Sequence, residues 1–329
     1  MTIDVGLDCR PLDPDQVPPY AELLKTITAA DEDSRIMSEK EILDDFADPL
    51  MDFERGSLAC YDGDQMIGYS ILSRRSSADP VHDLYQWGGV HPLYRGRGIG
   101  SWLLDWAEDA AVRLHREHFP DRPASLECNI QIKNTPAIEL FAARGYEQHR
   151  WFHEMMRDLS GELSVRTLPA DVEVAGFTPE RSADALLVRN EAFRDHWGST
   201  EVTPESWDYH TSLGAFRPAL SFVAYCEGEP IGFVMAHEYE AYNEKTGTRD
   251  VYFPLVGTRR AARGRGIASG LLTLAMRTAT ADGYDTATLD VDADSPTGAV
   301  GLYERLGFIT KDTRVTVSRR LYEPGSGAS

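Results

Sequence analysis

Two six-residue turns carry the first chemistry visible in this chain. They are Arg95-Gly96-Arg97-Gly98-Ile99-Gly100 and Arg263-Gly264-Arg265-Gly266-Ile267-Ala268. Glycine lets a backbone approach a ligand closely and take up positive φ. Each turn opens a segment whose apolar residues recur at helical spacing. Ile99, Leu103, Trp106, Ala107, Ala110 and Leu114 share one face in the first copy; Ile267, Leu271, Leu274 and Ala275 share one in the second. A helix start has unpaired N–H groups and the positive end of a dipole. With glycines in front, it suits a phosphate or pyrophosphate, and the arginines add charge at the mouth. The spacing differs from the dinucleotide signature G-x-G-x-x-G, and neither copy has the Lys-Ser/Thr that completes a P-loop.

The elements around the turns must position this chemistry, and they too come twice. A strand-like run precedes each turn, with VYFPLVGT ahead of the second. Upstream stand LACYDGDQMIGYSIL and FVAYCEGEPIGFVMA, which read as paired strands with an internal glycine; downstream stand LECNIQIKNTPAIELFAARGY and LDVDADSPTGAVGLYERLGF. R-G-x-G-[IL]-[GA] after a strand and before an amphipathic helix resembles the acyl-CoA-binding motif of the GNAT acetyltransferase superfamily. The downstream runs are similar to that family's strand, loop, helix and closing "LYxxxGF". Four landmarks recur in order, so the resemblance covers nearly the whole chain. It implies an α/β (α+β) fold class: two consecutive domains, each a mixed, mostly antiparallel sheet flanked by helices and splayed at the acyl-CoA site.

The resemblance also implies a reaction, direct attack of an amine on the thioester of acetyl-CoA within a ternary complex. Acetyl-CoA is then a donor substrate, and no metal is expected. The cofactor-binding residues it implies are Leu255, Val256, Thr258 and the turn Arg263, Gly264, Arg265, Gly266, Ile267, Ala268, with Ser295. In the first copy they are Val90, Arg95, Gly96, Arg97, Gly98, Ile99, Gly100 and Asn134. Many members protonate the departing thiolate with the tyrosine of "LYxxxGF". A phenol with pKa near 10 is adequate against a thiol near 8.5. The second copy has Tyr303 there and the first has Phe141, which has no proton to give. The asparagine position differs the other way, with Asn134 in the first copy and Ser295 in the second; serine replaces only part of its hydrogen bonding. Asp250, His237 and Glu238 are candidate bases at strand ends, and His82 and Asp83 occupy the place of Asp250 in the first copy. His196, Trp197 and Tyr252 are expected at the acceptor pocket.

Length and composition agree. A chain of 329 residues fits two domains, with residues 160–170 (SGELSVRTLPA), polar with Gly and Pro, as the boundary. The expected division is residues 1–160, a non-catalytic N-terminal domain, and residues 161–329, a catalytic C-terminal domain. A net charge of −20 argues against nucleic-acid or anionic-membrane partners and is compatible with a cationic amine substrate. There is no apolar run of spanning length, and residues 1–10 lack signal-peptide character. Cys9, Cys60, Cys128 and Cys226 form no C-x-x-C pair and read as small core residues in a reducing cytoplasm. His115 and His118 stand at H-x-x-H without a third ligand, which disfavours metal. The expected protein is a cytoplasmic monomer or homodimer acting on a small-molecule amine. The alternative is an acyl-CoA-binding or sensing protein without turnover.

Overall fold

A computed structural model describes residues 7–33, 36–163, 166–194, 199–295 and 297–325 of the chain. They divide into two compact units, residues 1–150 with 314–329, and residues 151–313. The division expected at 160/161 differs from this at both ends. Residues 151–158 belong to the second unit and residues 314–322 to the first, so each unit's sheet is completed by a strand from the other half of the sequence.

In the first unit the order is β1 (Asp8–Arg10), α1 (Val17–Ala30), α2 (Glu39–Asp45), α3 (Phe53–Gly56), β2 (Ser57–Asp62), β3 (Gln65–Arg74), β4 (His82–Val90), α4 (Ile99–His118), β5 (Ala124–Gln131), α5 (Thr135–Ala143) and the start of β6 (Glu147–Asp158). The second unit takes the rest of β6, then β7 (Val172–Gly176), α6 (Ser182–Ala192), α7 (Pro204–Ser212), β8 (Phe222–Cys226), β9 (Glu229–His237), α8 (Glu240–Thr246), β10 (Asp250–Thr258), α9 (Ile267–Ala281), β11 (Thr286–Asp292) and α10 (Ala299–Arg305). The final strand, β12 (Ile309–Tyr322), returns to the first unit from residue 314.

Both sheets are mixed and mostly antiparallel. The first runs β1-β2-β3-β4-β5-β12 and the second β7-β8-β9-β10-β11-β6. Among the described residues, the parallel pairs within the two sheets are β4–β5 and β10–β11. Each parallel pair is short. β4 leaves β5 after Tyr85↔Glu127 yet continues to Val90; β10 leaves β11 after Tyr252↔Thr288 yet continues to Thr258. This is the expected splay.

Apolar periodicity explains which face each helix covers. Leu103, Leu104, Ala107, Ala110, Ala111 and Leu114 of α4 are buried, as are Leu271, Leu272, Ala275, Met276 and Ala279 of α9. The α9 face packs on Val251, Phe253, Leu289 and Val291 of β10 and β11. Burying side chains of this size contributes about 1.5–3 kcal/mol each.

The cysteine expectation needs correction. Cys9 and Cys60 face each other across β1–β2, with Cα atoms 4.2 Å apart, and are disulfide-bonded. Cross-strand neighbours lie within disulfide reach, and strand register is what sequence spacing does not show. Cys128 and Cys226 lie outside that bond. His115 turns away from the H-x-x-H reading into the core, where its Nδ1 lies 2.9 Å from Nδ1 of His82. Among the described residues no helix is long and apolar enough to cross a membrane.

Candidate active site

The two glycine turns have nearly the same backbone. Gly96 and Gly98 sit at φ of 75° and 82°, and Gly264 and Gly266 at 77° and 79°. All four are left-handed positions that favour glycine. A Cβ at any of them would meet no atom within 4 Å, so the space before the turn is open. Gly98 and Gly266 are the N-caps of α4 and α9, and neither helix start has a side-chain cap. The N–H groups of Ile99, Gly100, Ile267 and Ala268 are therefore left for a ligand, and the cradle fits a pyrophosphate.

The arginines are held in place by the rest of each unit. Arg95 makes a bidentate pair with Asp31 at 2.6 and 3.0 Å, and Arg97 stacks over Tyr94. Arg263 donates to the Ala192 carbonyl at 2.8 Å, and Arg265 pairs with Asp171 at 2.6 Å. Asn134 caps α5, accepting from the Ala137 N–H at 3.3 Å. Ser295 Oγ lies 2.9 Å from Thr297 Oγ1.

The strands ahead of the turns differ. From Gly68↔Val90 to Arg74↔Leu84 the β3–β4 ladder is regular. In β9–β10 the register steps between Tyr252↔His237 and Leu255↔Met235, so β10 holds one residue too many. This is a β-bulge at Phe253-Pro254, a position where a proline's missing N–H is tolerated. The bulge switches facing. Val251 and Phe253 before it, and Val256 after it, all join the α9-side core, while Leu255 packs with the α6–α7 cluster. Val90, Leu255, Val256 and Thr258 all lie on the stretches beyond the splay, where one backbone edge is left by the neighbouring parallel strand.

The polar face of the second sheet gathers Asp250, Tyr252, His237 and Asp290. Asp250 is buried, and its two oxygens accept from Thr286 Oγ1 at 2.6 Å and Thr288 Oγ1 at 2.5 Å. Burial pushes its carboxyl above the usual range; the threonine hydroxyls resist this and the charge of Glu238 adds to it. The Tyr252 hydroxyl donates to Asp290 at 3.1 Å, and its ring lies 5.8 Å from that of Tyr239. Burial takes His237 down to about 4, leaving it neutral near pH 7.

Glu238 is in a different state. Burial alone would raise its carboxyl. Hydrogen bonds from Arg249, Tyr284 and Arg217, at 2.9, 2.6 and 2.9 Å, outweigh burial and pull it down to about 2. A carboxylate held so low is a weak base, and its four donors, Asn243 included, make it a tie between β9 and its neighbours.

Tyr303 of α10 borders the same core as Val256, on the face of the sheet opposite Asp250. It is half-buried, with its ring 6.0 Å from Phe308. Burial raises its hydroxyl to about 12. Its counterpart Phe141 is buried against Tyr146 at 4.9 Å. No hydrogen bond joins Tyr303 to Asp250 among the described residues. His196 and Trp197 lie outside the described residues.

Sequence reasoning missed a repeated pair on the polar faces. Each unit has an Asp-x-Tyr at the start of the strand that splays, Asp83-Leu84-Tyr85 and Asp250-Val251-Tyr252. Each tyrosine stands beside a carboxyl of the next parallel strand, Tyr85 by Glu127 and Tyr252 by Asp290. The D-x-Y spacing was the available signal. The partner carboxyls depend on strand register.

Comparison with known proteins agrees with this geometry. The acetyltransferase (GNAT) family model matches residues 188–308, and a second acetyltransferase (GNAT) domain model matches residues 54–148. The mycothiol acetyltransferase of Streptomyces avermitilis is 33% identical over 253 residues, covering 76% of this chain and 75% of that protein. That of Thermobispora bispora is 32% identical, covering 79% and 81%. Among solved structures, a GCN5-related N-acetyltransferase from Sphaerobacter thermophilus superposes with a TM-score of 0.76 at 25% identity, covering 97% of each chain. A tandem GNAT protein from the clavulanic acid biosynthesis pathway shares the fold, with a TM-score of 0.72 at 16% identity, covering 96% of this chain and 99% of that one. Two such domains in one chain, each with its glycine turn and splayed sheet, place this protein in the GNAT acetyltransferase family as a tandem-domain N-acetyltransferase.

Proposed function

We propose that the second unit transfers an acetyl group from acetyl-CoA to the primary amine of a small molecule, and that the first unit does not. The observation that carries this is the bulged β10. Its edge beyond Tyr252 is unpaired, with buried Asp250 on one face and half-buried Tyr303 on the other.

In this reading residues 263–268 hold the pyrophosphate, and the edge of β10 at Leu255, Val256 and Thr258 aligns the pantetheine arm. Its N–H groups can polarise the thioester carbonyl. Asp250 takes the proton that the ammonium gives up. The nitrogen–carbon bond forms as the carbon–sulfur bond breaks, and Tyr303 gives its proton to the departing sulfur. A carboxyl raised by burial is better matched to an ammonium than an ordinary aspartate. Glu238 positions β9 and Arg249 rather than acting as base, and Tyr252 lines the acceptor side. The curated relatives carry mycothiol in their name, which makes a mycothiol-related amine the first acceptor to try. The test is thiol release from acetyl-CoA across a panel of amines, with mass spectrometry of the product. A gain of one acetyl group on an amine nitrogen supports the reading. Coenzyme A binding without release for every amine would turn it into acyl-CoA sensing.

A further inference from the structure

The polar face of the first unit's sheet holds a group that acetyl transfer in the second unit does not use. Glu127 of β5 is only 3% exposed, and its Oε2 has no hydrogen-bond partner among the described residues. Leaving a buried carboxyl oxygen unpaired is costly. Beside it opens a cavity of about 450 Å³ whose walls include Ser125, Glu147, His149, Ser318 and Arg320. Ser318 is the cross-strand partner of Glu127, Ser125 is two residues away on the same face, and the other Glu127 oxygen lies 3.7 Å from His149 Nε2.

The charge balance around Glu127 identifies what is missing. Asp83 and Glu127 are two acidic groups that share Arg75, whose Nε is 3.6 Å from Asp83; Arg320 also acts on Asp83 but not on Glu127. Arg320, at the cavity wall, is already paired with Glu323 at 3.5 Å. Burial, with Asp83 adding, pushes the Glu127 carboxyl up to about 7, against Arg75 and the Tyr85 hydroxyl. An apolar ligand would leave Oε2 unpaired, and an anion would meet Glu127, Asp83 and Glu147.

We propose that this cavity binds a small primary amino alcohol, its ammonium on the Glu127 carboxylate and its hydroxyls on Ser125 and Ser318. The site lies wholly in the first unit and is independent of the transfer site proposed above. Because binding requires ionised Glu127, affinity falls as pH drops through about 7. The other groups around it are Asp83 and Tyr85 from β4, Arg75 after β3, His149 from β6 and Arg320 from β12.

The experiment is calorimetric or NMR titration of the full chain with 2-amino-1,3-propanediol, using glycerol as the control that lacks the nitrogen. The expected result is saturable binding of the amine and not of glycerol, about tenfold weaker at pH 6 than at pH 8. Glu127→Gln, which keeps the side-chain shape, should remove this event, and Ser318→Trp should block it by filling the cavity. Asp250→Asn should leave it in place. Binding that survives both first-unit variants, equal binding of glycerol, or no saturable binding would overturn the site. If Asp250→Asn alone removes binding, the amine sits only in the second unit; the transfer proposal then stands and this one fails.

Discussion

β4 and β10 hold equivalent places in the two units, but of these two strands only β10 is bulged. β4 pairs with β3 residue for residue over seven pairs. β10 carries one extra residue at Phe253-Pro254, so the side chains before and after it change faces. The surroundings of the paired aspartates differ as well. Asp83 faces the cation Arg75, whereas the nearby charge at Asp250 is the carboxylate Glu238. Burial raises the proton affinity of both aspartates; the cations Arg75 and Arg320 work against it at Asp83, whereas the charge of Glu238 adds to it at Asp250. Only the second unit also has a phenol at position 303, where the first has Phe141. What separates the units is a one-residue register step and a few side chains.

The most damaging way to probe this contrast is at the two aspartates. Asp250→Asn should cost about 10² to 10⁴ in kcat/KM, the usual contribution of a general base. Asp83→Asn should leave turnover nearly unchanged. For the unaltered protein kcat/KM should rise with pH as Asp250 loses its proton, at a pH above the ordinary aspartate range. The asparagine variant should lack that limb. A pH–rate profile of the two variants decides it, and equal losses would erase the difference drawn between the units.

A smaller effect is expected at the phosphate turns. Glutamate at Gly266 meets a left-handed backbone, costing about 1–2 kcal/mol. It also sets a negative charge where a pyrophosphate would sit, costing about 1 kcal/mol more. Gly266→Glu should therefore weaken coenzyme A binding about a hundredfold and slow turnover accordingly. Gly98→Glu should remove a binding event from calorimetry while slowing turnover far less. Unchanged stoichiometry in both variants would mean that the turns hold something else.

The weakest expected effect concerns stability. In the first unit the residue before Asp83 is His82, buried against His115; in the second, Arg249 precedes Asp250. Burial, with the neighbouring His115 adding, takes His82 down to about 4, from an ordinary value near 6.5. A depressed folded-state pKa means that its contribution is present above pH 6.5 and lost as pH falls from 6.5 to 4. Thermal melts should show that loss, at no more than about 1.4 kcal/mol per pH unit for one histidine. His82→Leu should flatten it. A melting temperature independent of pH across this window would show that the pair is not held neutral.

Much of this was legible in the sequence because it depends on short local patterns. R-G-x-G-[IL]-[GA] fixes a turn and a helix start within six residues, and the 3.6-residue periodicity fixes which face of α4 and α9 is buried. Tyr303 against Phe141 is likewise a local reading. What escaped depends on partners far apart in the chain. The RWFHEMMRDLS segment was readable as a strand, but not its pairing with β11. The bulge left one trace, Pro254 within an apolar strand. The bond between Cys9 and Cys60, the hold of Arg217, Arg249 and Tyr284 on Glu238, and the nearness of Glu127 to Tyr85 all require register.

The central claim is that transfer takes place in the second unit with Tyr303 as the proton donor, and steady-state turnover of Tyr303→Phe beside Phe141→Tyr tests it most directly. The first change removes one oxygen and keeps the ring beside Phe308, so folding and coenzyme A binding should survive. Turnover should fall about 10² to 10⁴-fold because the thiolate then leaves unprotonated. Phe141→Tyr should not raise the rate, since the first unit keeps its regular β4 and its ion-paired Asp83. Near-full turnover in Tyr303→Phe, combined with its loss in Gly98→Glu, would place the reaction in the first unit and contradict the account.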